Sequence, residues 1–272
     1  MTRPGDGPFT ERTPRVTAAR ALTRRAGRVK AGRFLAEGAQ AVREALRWSI
    51  AGRGVVHEVF AVSMPGDLAA LAAEAGVPVS AVTERAAAGL SETVTPQGVV
   101  AVCDLVDVPI DTALAGSPRL VAVLAGVSDP GNAGTVIRVA DAAGADAVVL
   151  AGHAVDPHNG KCVRASTGSV FHLPVSRAPV AEVLDACRAA GLRLVAADGH
   201  ASDDLMSDTG LAGPTAWVFG SEAHGLPDDV VATLDHALRV PVYGDAESLN
   251  LATAAAVCLY ATAWRQRAPR SG

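Results

Sequence analysis

The stretch Ser128-Asp-Pro-Gly-Asn132-Ala-Gly134-Thr-Val-Ile-Arg138-Val-Ala140 decides how this chain is read. It comes just after the apolar run Leu120–Leu124, which is short and free of polar residues, as buried parallel strands are. Gly131 and Gly134 permit a tight strand-to-helix turn, Asn132 is the expected helix cap, and Arg138 falls one turn beyond Gly134 on the helix that opens here. A helix N-terminus beside an arginine suits an anionic group such as phosphate, because unpaired N–H groups and the helix dipole both favour negative charge. The plain alternative is a turn, a cap and a surface arginine.

Outward from this stretch the alternation continues. Ala147–Leu150, Leu192–Ala196, Ala216–Phe219 and Ala237–Val242 read as further strands, and segments 133–143, 179–190 and 248–266 as the helices between them. Such alternation predicts an α/β fold with a mostly parallel sheet. Upstream, Arg33-Phe-Leu-Ala-Glu-Gly38 resembles a strand turning into a helix at Ala39 to Ile50, and Val55–Val62, Val77–Val82 and Gly98–Leu105 are β-branched runs separated by Ala/Leu-rich segments 66–75 and 84–91. Both halves are therefore expected to be α/β. Residues 1–16 read as a flexible tail, 17–106 as a first domain, 107–118, with two prolines and a glycine, as a linker, and 119–266 as a second domain.

A length of 272 residues favours two domains at roughly 100–200 residues each. Apolar residues at 49% and charged residues at 19% place the chain among globular proteins. The longest weakly polar run, Leu251–Trp264, spans 14 residues and contains two threonines, short of the roughly 20 that a membrane helix needs. No apolar stretch follows the charges of the first residues, so no secretory signal is expected. Cys103, Cys162, Cys187 and Cys258 lie far apart without a CxxC pair, which argues against a zinc site or disulfide framework and for a reducing cytoplasm.

The net charge of −4 conceals an uneven distribution: residues 1–53 carry 12 Lys and Arg against 4 Asp and Glu, and the remainder 12 against 24. Arg20, Arg24, Arg25, Arg28, Lys30 and Arg33 cluster with no acid among them. That is the electrostatic footprint of phosphate-backbone contact, although a solvated basic face would look the same.

Common nucleotide and hydrolase signatures are missing: there is no GxxxxGK[ST], no GxGxxG after a strand and no GxSxG. The seven histidines show no metal-ligand spacing, and no metal is implied. Three further segments are too polar for their places. Lys161-Cys-Val-Arg164-Ala-Ser-Thr-Gly168 sets Lys161, Arg164 and Gly168 at i, i+3 and i+7, one expected helical face. Gly220-Ser221-Glu222-Ala-His-Gly225-Leu226 follows a strand, with glycines that let the backbone fold closely around a ligand. Val240-Pro-Val242-Tyr-Gly-Asp-Ala-Glu-Ser248-Leu249-Asn250-Leu-Ala252 ends a strand and opens a long helix, for which Ser248 is a natural cap.

Together the four segments resemble the SpoU (TrmH-like) branch of the SPOUT RNA methyltransferases, in order and spacing, from Leu120 to Trp264. Asn132, Gly134 and Arg138 match the first family motif in the frame NxGxxxR; Gly220 to Leu226 look like the second; Pro241 to Gly244 through Ser248-Leu249-Asn250 are similar to the third. The Lys161 to Gly168 segment fits the intervening pattern. Ala252 departs from it, since many members carry a small hydroxyl residue there. The resemblance implies a trefoil-knotted α/β domain, S-adenosyl-L-methionine as cofactor, a homodimer formed through this domain, and methylation of a ribose 2′-hydroxyl, with 23S rRNA the first expectation. A tRNA methyltransferase, an antibiotic-resistance rRNA methyltransferase and a non-catalytic RNA-binding protein on the same scaffold are the alternatives. The N-terminal half is similar to the RNA-binding domain that precedes the knot in relatives.

The resemblance also assigns roles. Arg138, Asn132, Glu222, Ser248 and Asn250 form the expected catalytic set. Gly220, Ser221, Glu222, Gly225, Leu226, Val240, Val242, Ser248, Leu249 and Asn250 are expected around the cofactor. The six basic residues from Arg20 to Arg33, with Lys161 and Arg164, are expected to meet RNA. A literal base role for Arg138 conflicts with the chemistry of a guanidinium, which keeps its proton in proteins. An arginine that binds the adjacent phosphate and stabilises the forming alkoxide, with the proton lost to phosphate or water, is the preferred expectation.

Overall fold

The computed structural model describes residues 7–268. It divides into two units: one takes the chain up to Val106 together with Asp156–His172, the other takes Asp107–Val155 and the chain from Leu173 onward.

In the first unit, the helices α1 (Pro14–Arg20) and α2 (Arg25–Ala31) precede β1 (Arg33–Glu37), α3 (Ala39–Ile50), β2 (Val56–Ala61), α4 (Gly66–Glu74), β3 (Val79–Ala81), α5 (Glu84–Gly89) and β4 (Val99–Asp104). The sheet order is β1-β4-β2-β3, with β4 antiparallel to both neighbours and β3 parallel to β2. Val16, Leu22, Leu35, Phe60, Leu90 and Val100 share one core. The expected flexible tail is corrected over its described part: Phe9 N–H donates to the Ala81 carbonyl at 2.8 Å, and Val16 is buried within α1. Residues 1–6 of that expected tail lie outside the described residues.

The second unit begins inside the expected linker. Residues 107–118 carry β5 (Asp107–Val108), paired with β8, and the short helix α6 (Ile110–Ala113), whose Ile110 and Ala113 are buried. Apolar residues between the prolines supply that core contact, so the segment is part of the unit. There follow β6 (Leu120–Ala125), α7 (Pro130–Ala143), β7 (Ala147–Ala151), α8 (Gly160–Ser166), β8 (Val175–Ala178), α9 (Val180–Ala189), β9 (Arg193–Ala197), β10 (Asp203–Asp204), β11 (Thr215–Phe219), α10 (Asp228–Val231), β12 (His236–Arg239) and α11 (Leu251–Arg267). Of these, α8 belongs to the first unit. The eight strands run in the order β10-β12-β9-β11-β6-β7-β8-β5 and every pairing is parallel. All residues of β6, β7 and β11 are buried, as expected for strands covered on both faces.

From β6 the chain steps to β7 and β8 on one side, then returns to β9 and β11 on the other. In open parallel sheets the crevice at the carboxyl ends of strands on either side of such a reversal is where ligands bind. Here that is the end of β6 and β11.

The excursion 156–172 is fastened to the first unit by a buried ion pair. Arg28, 3% exposed, donates from Nε and Nη2 to Asp156 Oδ2 at 3.0 and 2.9 Å, and from Nη1 to the carbonyls of Leu22 and Thr23. His158 Nε2 accepts the Val106 N–H at 3.1 Å, which leaves Nδ1 to donate to Asp156 Oδ1 at 3.2 Å. Phe171 packs against Phe34 and Trp48. Arg28 is thus a structural residue and is removed from the expected RNA face. Burial opposes ionisation of Asp156, but hydrogen bonds from His158 and Arg28 outweigh it and hold the carboxyl well below its usual range. A depressed folded-state pKa stabilises above the unfolded value near 4 and fades as pH falls towards the folded one. Asp156→Asn is therefore expected to cost about 1.5–3 kcal/mol at pH 7. In urea titrations the gap between variant and parent should narrow only below about pH 4; a gap that is unchanged at pH 3 would remove the ionised pair as its cause.

Candidate functional site

Three segments that are far apart in sequence meet through one carboxylate. The loop after β6 ends in Asp129, whose side chain caps α7 by accepting the Asn132 N–H at 2.8 Å, with Pro130 at the first helical position. Asn132 is therefore in the first turn and is not the cap that its position suggested. Glu222, from the loop after β11, reaches the head of α7: its carboxylate accepts from Ser128 N and Oγ, from Asp129 N and from Asn132 Nδ2 at 3.0–3.3 Å. The anion expected at this helix end is supplied by the chain itself.

Burial opposes the charge on Glu222, yet the hydrogen bonds from Asn132, Ser128 and Asp129 prevail and lower its pKa. An ionised Glu222 accepts only, so Asn132 must present its Nδ2 to it and its Oδ1 away. Asn132 Oδ1 then accepts from Asn250 Nδ2 at 3.2 Å. Asn250 Oδ1 in turn accepts from Ala252 N and Thr253 N, capping α11. One carboxylate thus fixes two amides in sequence, along the line Glu222, Asn132, Asn250.

The glycines shape the second of these loops. Ser221 and Gly225 exchange backbone hydrogen bonds of 2.9 Å in both directions, and Gly225 has φ +66°. A Cβ on Gly220 would run into the backbone of Gly225 and Leu226. In the third segment, β12 stops at Arg239, so Val240 and Val242 lie on a loop beyond the strand expected to contain Val242. Among the described residues, no backbone group from Val240 to Leu249 is hydrogen-bonded. A run of such groups beside the head of α7 can take an adenosine and an amino-acid moiety through main-chain contacts. The residues present therefore fit a nucleoside-containing cofactor such as S-adenosylmethionine.

The remaining expectations fare differently. Ser248 is exposed, makes no hydrogen bond to the Glu222 network, and leaves the cap of α11 to Asn250, because the helix starts three residues later. Arg138 is exposed on α7, about 9 Å further along the helix axis than Asn132 and a third of a turn round from it. Gly168 lies past the end of α8, with Thr167 and Gly168 both at positive φ, so it does not share a helical face with Lys161 and Arg164. Arg164 is paired with the buried Glu37 at 3.0 Å, while Lys161 is exposed. Both belong to the first unit. Ser128 and Asp129 join the site although they stand outside the expected set; the Ser-Asp-Pro run before a helix is the cap signature that marks Asp129.

Comparison with known proteins agrees with this geometry. Residues 119–260 match the SpoU rRNA Methylase family, and residues 13–101 the MRM3-like substrate binding domain. The chain is 36% identical over 239 residues to the 23S rRNA (guanosine(2553)-2'-O)-methyltransferase RlmP of Bacillus subtilis, covering 86% of this chain and 89% of that one. Two solved structures share its fold with a TM-score of 0.82. One is an AdoMet-bound rRNA methyltransferase from Sinorhizobium meliloti, 32% identical, covering 94% of this chain and 96% of its own. The other is the SpoU methyltransferase AviRb from Streptomyces viridochromogenes in complex with AdoMet, 31% identical, covering 95% of this chain and 100% of its own.

Proposed function

The chain belongs to the SpoU rRNA methylase family, and from that premise we propose that it transfers a methyl group from S-adenosylmethionine to a ribose 2′-hydroxyl of 23S rRNA. The observation that carries the reading is the hydrogen-bonded line Glu222, Asn132, Asn250, which ties all three motif loops together at the carboxyl ends of β6 and β11. When bound, the cofactor supplies a methyl group on a sulfonium that is already strongly electrophilic. The chain's own tasks are then to place the hydroxyl in line and to favour loss of its proton. Backbone groups of Gly220, Ser221, Gly225, Leu226, Val240, Val242, Ser248 and Leu249 hold the cofactor, with Glu222 and Asn250 fixing the loops. Asn132 orients the ribose. Arg138 binds phosphate and stabilises developing oxyanion charge.

The same reading includes a homodimer through the second unit, a knotted path for its C-terminal segment, and a cytoplasmic site of action. The dimer is supported by α11, where Thr253, Val257, Tyr260 and Trp264 recur on one face, with Tyr260 50% and Trp264 79% exposed. Four buried cysteines, none of them in a disulfide among the described residues, suit a reducing compartment. Tritium transfer from labelled S-adenosylmethionine to rRNA and tRNA, followed by nuclease digestion, tests the function. Label on a 23S ribose is expected; label on a base would overturn the reaction type, and no transfer would favour a binding protein.

RNA delivery falls to the exposed basic side chains Arg20, Arg24, Arg25, Lys30 and Arg33, with Lys161 as a further contact. Replacing Arg24, Arg25 and Lys30 by alanine should flatten the salt dependence of RNA binding by roughly 0.7–0.9 log units per lost phosphate contact. Cofactor affinity measured by calorimetry should not move. An unchanged salt slope would take α2 out of the RNA interface.

A further inference from the structure

Methylation of a hydroxyl releases one proton, and the Glu222 network has no group suited to take it. Glu222 is held ionised by hydrogen bonds from Ser128, Asp129 and Asn132, which makes it a weak base. The amides of Asn132 and Asn250 are not bases near neutrality, and a guanidinium such as that of Arg138 keeps its proton. Asp129 is occupied in capping α7.

We infer that His224, in the loop between Glu222 and Gly225, accepts the ribose proton, an inference that rests on the methyltransferase reading above. The loop is closed by the paired Ser221 and Gly225 backbone bonds, and His224 N–H donates to Ser221 Oγ at 3.3 Å, so the residue is held two positions from Glu222. Its side chain is exposed, and its ring makes no hydrogen bond among the described residues, so both nitrogens are solvent-accessible and uncommitted. Imidazole is the side-chain type that changes charge near neutral pH.

The charged side chains on the segments meeting this loop are Glu222 on the loop itself, Asp129 capping α7, Arg138 and Asp141 on α7, Asp228 and Asp229 in the first turn of α10, and Asp245 and Glu247 on the loop that Asn250 closes. None of them bonds the ring. In the step, the O–H electron pair stays on the ribose oxygen as the O–CH₃ bond forms, and the S–CH₃ pair stays with sulfur. The proton passes to an imidazole nitrogen of His224 and from there to water. His224 then starts the next cycle neutral.

The test compares the full-length protein with His224→Gln and His224→Ala in single-turnover methyl transfer to 23S rRNA across pH. At pH 7 His224→Gln is expected to lose about 100-fold in rate, the lower range for general-base catalysis. Calorimetric affinity for S-adenosylmethionine and filter-binding affinity for RNA should stay within about twofold, a change of roughly 0.4 kcal/mol. The rising limb of the parent's pH–rate profile should disappear. Added imidazole should restore part of the rate of His224→Ala. A variant with the parent's rate overturns the inference, as does a slower variant that keeps the parent's limb and instead shows a raised KM for RNA. If the unaltered protein transfers no methyl group, the methyltransferase reading and this inference fall together; if it does, only the inference is at stake.

Discussion

Arg138→Ala is expected to fold and bind S-adenosylmethionine like the parent while losing at least 10²-fold in methyl transfer, about 2.7 kcal/mol of transition-state stabilisation. The side chain is exposed on α7, whereas the helix is anchored by the buried Ala133, Val136, Ile137 and Ala140, so truncation leaves no hole in the core. It also lies outside the line Glu222, Asn132, Asn250, which shapes the loops without it. A group that acts mainly on developing charge is felt in turnover more than in ground-state affinity. Arg138→Lys should rescue little, because an ammonium cannot reproduce a planar fork that spans phosphate and ribose oxygens. The measurement is tritium transfer at saturating cofactor and RNA, with calorimetry and sedimentation on the same preparations. Turnover within a few-fold of the parent would remove Arg138 from the reaction.

The legible parts of this fold are those whose causes are local. Helix α3 spans Ala39–Ile50 as its apolar spacing predicts, and the strands read from apolar runs in the second half appear within a few residues of their expected ends. The short β8, Val175–Ala178, went unread because four residues ending in Arg-Ala carry too little pattern. The allegiance of residues 156–172 was hidden for a different reason. Arg28 and Asp156 are 128 positions apart, and Arg164 and Glu37 are 127 apart. Nothing near Arg28 distinguishes it from the exposed Arg24 and Arg25; only the partner does.

The site shows the same division. Its residue types were legible because glycines, amides and a carboxylate stand where apolar strands end. Their bonding was not. Asn132 and Ser248 both look like caps from their flanking residues, but the caps are Asp129 and Asn250, each three positions away from one of them or fewer. A carboxylate arriving from 90 residues further along the chain meets the head of α7. The glycines are likewise unequal, although sequence treats them alike.

Gly220→Val should therefore abolish S-adenosylmethionine binding, a loss of at least 10³-fold in affinity or about 4.1 kcal/mol. Any Cβ at position 220 collides with the backbone of Gly225 and Leu226, neither of which is the end of a flexible side chain that can swing aside. To admit valine, the Ser221 and Gly225 backbone pair has to open, and Glu222 then leaves the head of α7. Without that carboxylate, Asn132 and Asn250 lose the hydrogen-bonding line that orients them. Gly244 supplies the contrast: a Cβ there meets nothing within 4 Å, and its φ is not in the left-handed region. Gly244→Ala should accordingly leave thermal stability unchanged and report only on how closely a ligand approaches that backbone. The middle of the eight-stranded sheet, β11, β6 and β7, is wholly buried and does not depend on the loop. Far-ultraviolet circular dichroism should thus show Gly220→Val folded when calorimetry shows it empty. A folded Gly220→Val protein that binds the cofactor with the parent's affinity would place the pocket away from this loop.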